Sequence, residues 1–182
     1  MPLCFAYGSN MDRAAMALRC PGSKPVGVAR LPRHRFVIMP EGYASVVRDP
    51  ARDVWGVLWD VALADVRTLD AYEEVGRGLY GKIIQPVVKA AGGSARALVY
   101  VGRSGAGGRP KPGYLEGVLA AARDWGLPER YIREIEGLSP RRPAAGALAD
   151  RQGLGKPEAG AQTPGGVAKV RPRFATPFDR RD

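Results

Sequence analysis

Histidine occurs once in this 182-residue chain, at His34, and cysteine twice, at Cys4 and Cys20. A single histidine leaves no Ser-His-Asp arrangement unless His34 serves in it, and it argues against a zinc site. Within Arg33-His34-Arg35 it reads as a polar strand residue. Two cysteines are too few for a disulfide framework and read as small buried hydrophobes. No apolar run approaches the ~20 residues of a membrane span, and no basic segment followed by an apolar core opens the chain. A cytoplasmic protein is the expectation. Gly102 to Arg109 looks superficially like a phosphate loop, but it lacks the closing Gly-Lys-Ser/Thr and no helix starts behind it. It reads as a surface loop.

What is present is an ordinary globular apolar fraction of 45% and a net charge of +10. The charge is unevenly spread. Residues 139–182 hold nine Lys/Arg against four Asp/Glu, half of the excess in a quarter of the chain. Those 44 residues also carry six Pro and six Gly with no apolar periodicity. The expected organisation is one domain over 1–138 and a disordered basic Pro/Gly-rich tail over 139–182.

Within the domain, Leu3–Tyr7 reads as a strand and Met11–Leu18 as a helix. Lys24–Arg30, Arg33–Met39 and Tyr43–Arg48 read as strands, with turn signals at Pro40-Glu41-Gly42 and Asp49-Pro50. Val54–Val61, rich in β-branched and aromatic residues, is the strongest strand and is apolar enough for burial on both faces. Ala62–Glu74 reads as a helix with Leu63, Val66 and Leu69 on one face, stopped by Gly76 and Gly78. Leu79–Ala90 and Ala95–Gly102 read as strands, and Gly113–Trp125 and Pro128–Glu136 as helices. Six or seven strands with few helices predict an α+β domain around a small, mixed, strongly curved sheet or barrel.

Two features point to chemistry. The first is Phe5-Ala6-Tyr7-Gly8-Ser9-Asn10, a strand running through a glycine into two residues that favour helix N-caps. Glycine permits a positive φ or a close backbone approach. The free N–H groups of such a junction form an anion cradle; the plainer reading is a helix cap and nothing more. The second is Glu73. Four residues after Leu69 and seven after Val66, it continues the apolar stripe. A carboxylate there is desolvated and its pKa rises toward that of a general base or acid; alternatively the helix end frays and Glu73 points to water. Asp70 and Glu74 compete for the role.

Phe5-Ala6-Tyr7-Gly8-Ser9-Asn10-Met11 resembles the signature of the γ-glutamylcyclotransferase family. Gly42-Tyr43-Ala44-Ser45, Val54-Trp55-Gly56-Val57-Leu58-Trp59, and Leu69-Asp70-Ala71-Tyr72-Glu73 with Gly78-Leu79-Tyr80 follow in the family's order. So do Pro112-Gly113-Tyr114 and Gly126-Leu127-Pro128-Glu129-Arg130-Tyr131. The resemblance runs from about Leu3 to Leu138. It implies a small α+β barrel and a reaction in which the α-amino group of a γ-glutamyl amino acid or amine attacks its own γ-carbonyl, giving 5-oxoproline and a free amine. Glu73 would be base and then acid. Phe5, Ala6, Tyr7, Gly8, Ser9 and Asn10 would form the binding stretch, the Tyr7–Asn10 cradle supplying N–H groups for the α-carboxylate or the developing oxyanion. Tyr80 and Tyr114 would line the pocket and orient the glutamyl part. No cofactor and no metal is implied. The expected partner is a small-molecule γ-glutamyl substrate, with no specific nucleic acid and no membrane, on a monomer or homodimer. Asn10 argues against the glutathione-specific relatives, which differ after Tyr-Gly-Ser. Where the family usually has glycine after the glutamate, this chain has Glu74, expected to point to solvent; pointing inward it would raise the Glu73 pKa by repulsion. The rival readings are a catalytically silent small-molecule binder of the same fold, and a nucleic-acid-binding protein using its basic tail.

Overall fold

The computed structural model describes residues 1–139. The basic tail expected from the sequence therefore lies, but for Ser139, outside the described residues. Strand β1 (Leu3–Ala6) leads through a 3-10 turn (Ser9–Met11) into helix α1 (Arg13–Arg19). Two long strands follow, β2 (Lys24–Ile38) and β3 (Ala44–Asp60), then helix α2 (Leu63–Tyr72) and a second 3-10 turn (Val75–Arg77). Strands β4 (Tyr80–Lys89) and β5 (Ser94–Gly102) precede helices α3 (Tyr114–Asp124) and α4 (Glu129–Glu136).

The five strands close into a barrel in the order β1-β3-β2-β4-β5. Every pairing is antiparallel except the seam, where β1 runs parallel to β5 with Cys4 opposite Leu98. This is the small mixed α+β barrel expected, with fewer strands. The segments read as separate strands on either side of Pro32 are one strand, and so are those on either side of Asp49-Pro50. In the ladder Pro32 faces Asp53 and His34 faces Arg48, leaving 49–52 unpaired across from Arg33. Arg33 takes a positive φ of 58° there. A proline that lacks an N–H is tolerated at such a bulge, so the turn signals mark an irregularity within a hairpin instead of a chain reversal. His34, buried at this bulge, holds the Pro32 carbonyl at 2.7 Å through Nδ1 and stays out of the pocket.

Burial of β3 on both faces holds from Gly56 to Trp59. Gly56 is required by close approach: a Cβ there would sit 2.1 Å from the Ala6 carbonyl oxygen. That fixes β1 tightly against β3. Phe5, Met11, Leu58, Leu69, Leu115 and Ile132 are among the fully buried side chains joining barrel and helices in one core. Trp125, at the end of α3, donates to the Met11 carbonyl (2.7 Å) and packs edge-on against Trp59. Among the described residues no helix is long and apolar enough to cross a membrane.

Candidate functional site

At the end of β1 the chain leaves the barrel and opens a cavity of about 640 Å³, its mouth included. Phe5, Ala6, Tyr7, Gly8, Ser9, Asn10, Glu73, Tyr80 and Tyr114 all line it, so the residues that the resemblance assigns to the site are brought to one place. Cys4, Tyr43, Tyr72, Glu74, Leu79 and Tyr100 complete much of the wall.

The turn differs from the expected cap. Gly8 precedes the 3-10 turn, and the cap of α1 is Asp12, whose side chain accepts from the Ala15 amide at 2.8 Å. The helix thus begins at Arg13 instead of Met11, and Ser9 and Asn10 keep their side chains for the pocket. Ser9 Oγ meets the Tyr72 hydroxyl at 3.1 Å. The backbone amides of Gly8, Ser9 and Asn10 take no backbone acceptor among the described residues. Gly8 has an ordinary φ of −119°. Its need for glycine comes from proximity, because a Cβ would lie 2.9 Å from the Tyr114 hydroxyl.

Glu73 closes α2 and does not fray. Its amide still bonds the Leu69 carbonyl (2.9 Å), continuing the Val66–Leu69 face. Leu63, expected on that face, is instead exposed, and the buried side chain near the helix start is Asp65, which binds the Gly22 amide and the Ser23 hydroxyl. Glu73 Oε1 accepts from Asn10 Nδ2 at 2.6 Å. The residue keeps some surface at the pocket mouth, yet protein packs densely around the carboxyl group. That desolvation raises its pKa from 4.5 to about 7, against the lowering effects of the Asn10 bond and of Arg19.

Neither competing carboxylate is equivalent. Asp70 is held by Lys82 (2.7 Å) and the Tyr100 hydroxyl (2.8 Å), away from the pocket lining. Glu74 does line the pocket: its side chain is only 18% exposed, contrary to the expected solvent-facing position. It pairs with Arg77 at 3.3 Å, and burial, not Glu74, is what lifts Glu73. Glu74 adopts the left-handed conformation (φ 49°). A glycine would enter that conformation without steric cost, whereas a glutamate holds it against its Cβ.

The phenols are arranged by their partners. Tyr7 donates to the Tyr100 carbonyl (2.6 Å) and Tyr80 to the Ala44 carbonyl (2.6 Å), so both protons are engaged. Tyr114 oxygen accepts from the Ala44 amide at 3.1 Å, which leaves its own O–H to donate. Burial pushes all three phenols well above their usual range, and they stay neutral. Among the described residues no group of three or more His, Cys, Asp or Glu is placed to hold a metal ion. Reading the sequence residue by residue missed Arg19, whose guanidinium donates to Asn10 Oδ1 and lies 3.4 Å from the centroid of Tyr72. A basic residue in the last turn of a helix carries no signal of its own.

The chain is similar in sequence and in fold to known proteins. The AIG2-like family model matches residues 53–135, from the second half of β3 to α4. The γ-glutamylcyclotransferase of Mus musculus is 29% identical over 148 residues, covering 76% of this chain and 79% of that protein. The Homo sapiens γ-glutamylcyclotransferase is 28% identical over the same shares. A solved structure of a γ-glutamyl cyclotransferase superposes with a TM-score of 0.72 at 26% identity, over 79% of this chain and 90% of that one.

Proposed function

Starting from a chain that is, in sequence and in fold, a relative of the γ-glutamylcyclotransferases, we propose that it converts a γ-glutamyl amino acid or amine into 5-oxoproline and a free amine. The observation that carries the reading is Glu73, a single desolvated carboxylate poised near neutral pH inside a pocket of neutral phenols.

The nucleophile and the electrophile belong to one molecule, so the pocket's first task is to fold the substrate until the α-nitrogen faces the γ-carbonyl carbon. The free amides of Gly8, Ser9 and Asn10 suit an anionic oxygen, either the α-carboxylate or the oxyanion that forms on attack. Tyr114, with a free O–H, is a donor to a carbonyl or carboxylate oxygen. Tyr80, its proton engaged by Ala44, can only accept, which suits the substrate ammonium.

The substrate enters with its α-amino group as ammonium, and ionised Glu73 takes one of its protons. The freed nitrogen lone pair forms the new C–N bond to the γ-carbon, and the carbonyl electrons move to oxygen. When they return, the original γ-amide C–N bond breaks. The departing nitrogen takes that proton from Glu73. The regenerated carboxylate removes the second excess proton from the ring nitrogen and passes it to the free amine, which leaves as ammonium. The ring nitrogen keeps one hydrogen and Glu73 ends ionised. Oε1 is held by Asn10, so Oε2 is the oxygen left to exchange protons.

The test is incubation with a panel of γ-glutamyl amino acids and amines, with 5-oxoproline measured by mass spectrometry. Wild type should release it from at least one of them, and Glu73→Gln should lose at least about two orders of magnitude of turnover while staying folded. Release at the wild-type rate by Glu73→Gln would mean that another group moves the proton; no release by wild type from any compound would overturn the reaction itself.

A further inference from the structure

We propose that Arg19 is a positioning residue for Glu73: its guanidinium holds the Asn10 carbonyl oxygen and so turns the Asn10 N–H toward one oxygen of the carboxylate. The inference rests on Glu73 being the proton-transferring group proposed above.

Arg19 ends α1, and its side chain runs from there over the face of Tyr72. Stacking on an aromatic face holds a planar guanidinium in one orientation. It forms no ion pair with a carboxylate among the described residues. Its oxygen acceptor is Asn10 Oδ1, and the other end of that amide contacts Glu73. An asparagine amide is nearly symmetric in shape, but its two ends differ in chemistry. With a cation on one side and a carboxylate on the other, only one orientation satisfies both. Without the cation, the flipped amide would set an oxygen against the carboxylate.

The surroundings single out this route. Facing Glu73 are Cys4 from β1 and Tyr7 just beyond its end, Tyr80 and Tyr100 from β4 and β5, and Tyr114 from α3. Burial raises the thiol to about 12 and the phenols above their normal range, so none is charged near pH 7. From its own helix and the following turn come Asp70 and Glu74, each already met by a cation, Lys82 or Arg77, and the Tyr72 side chain, over whose ring Arg19 lies. Arg19 is the cation whose charge acts on Glu73, and no carboxylate among the described residues meets it directly. Its charge favours the ionised form of Glu73 and opposes desolvation.

The experiment follows the Glu73 carboxyl by carbon NMR in glutamate-labelled protein, its signal assigned by its loss in Glu73→Gln. This readout needs no turnover. In Arg19→Met the midpoint should rise by about one pH unit, the low end of the effect of a nearby opposite charge, and Arg19→Lys should return it most of the way. Asn10→Ala cuts the same route from its other end and should shift the midpoint in the same direction, which keeps the test intact should Arg19→Met fail to fold. The acid limb of kcat/KM should move with the titration. Adding Arg19→Met to Asn10→Ala should lower kcat/KM by a smaller factor than Arg19→Met does alone, leaving only the direct effect of the charge, as expected for residues that share one contact. An unmoved Glu73 titration in a folded Arg19 variant would overturn the proposal and leave Arg19 as a packing residue for Tyr72. Independent, multiplicative losses in the double variant would also overturn the route through Asn10. If no γ-glutamyl compound is cyclised, the proposed function fails, and the titration still decides this inference.

Discussion

A carboxyl group held near pH 7 in the folded protein, against 4.5 as its ordinary value, is a cost to stability as well as a tool. Between those values the folded state binds more protons than the unfolded chain, so stability falls as pH rises. The contribution of Glu73 is fully present below about 4.5 and lost through about 7. Glu73→Gln, which keeps an acceptor for Asn10, should therefore stabilise the protein by roughly 2 kcal/mol at pH 8, with the gain shrinking toward pH 5; denaturant unfolding at the two pH values checks this. In the active enzyme the same group should give kcat/KM an acid limb with its midpoint near 7, and a limb near the ordinary carboxylate value would mean that the proton goes elsewhere. Glu73 was legible in the sequence because its position repeats a helical spacing. Asn10 was legible as part of a motif, but not as the partner of Glu73, since 63 residues separate them. Arg19 was not legible at all, because its partners are an amide nine residues earlier and a ring on another helix.

At the scale of elements, the turn between β1 and α1 is where backbone shape and chemistry meet. Its side chains are not spent on capping, which Asp12 performs, and Gly8 is pressed against Tyr114. The sequence placed the turn correctly but named the wrong cap, because Ser9, Asn10 and Asp12 are all good N-cap residues and only the tertiary path chooses among them. Gly8→Ala should reduce kcat/KM more than Ser9→Ala, by at least about tenfold, since a contact 2.9 Å from the would-be methyl must displace a phenol that lines the pocket. Ser9→Ala removes one hydroxyl contact worth about 1 kcal/mol. The cause can be isolated with Tyr114→Phe, which removes the crowded oxygen: adding it to Gly8→Ala should cost less than the two losses combined. Equal activity per folded molecule for Gly8→Ala and wild type would show that this turn does not shape the pocket. Strand counting failed at the same scale for a related reason. Pro32 and Asp49-Pro50 are strong local turn signals, yet the hairpin absorbs both in one bulge, and local chemistry cannot distinguish a bulge from a reversal.

At the scale of the molecule, barrel closure brings together segments far apart in sequence: β1 lies between β3 and β5, and the pocket at its end takes walls from α2, β4, β5 and α3. Periodicity and composition pointed to a curved α+β sheet, but the order of strands came only with the pairings, as the parallel seam between β1 and β5 has no local sequence signature. The described residues form one core with the cavity inside it, and α4 packs its buried face, Tyr131, Ile132 and Ile135, into that core before the chain reaches Ser139. Every group assigned a part in the chemistry lies before that point. Truncation after Ser139 should accordingly leave the melting temperature within about 2 °C, equivalent to well under 1 kcal/mol at this size, and 5-oxoproline release per molecule within about twofold. It also removes half of the +10 net charge, so any retention of the full chain on immobilised DNA or RNA at low salt should weaken strongly in the truncated protein. The two measurements separate the body from the tail. Unchanged turnover with lost retention assigns the excess charge to the tail and the chemistry to the barrel, whereas loss of cooperative unfolding or of turnover on truncation would mean that residues beyond Ser139 complete the core or the site.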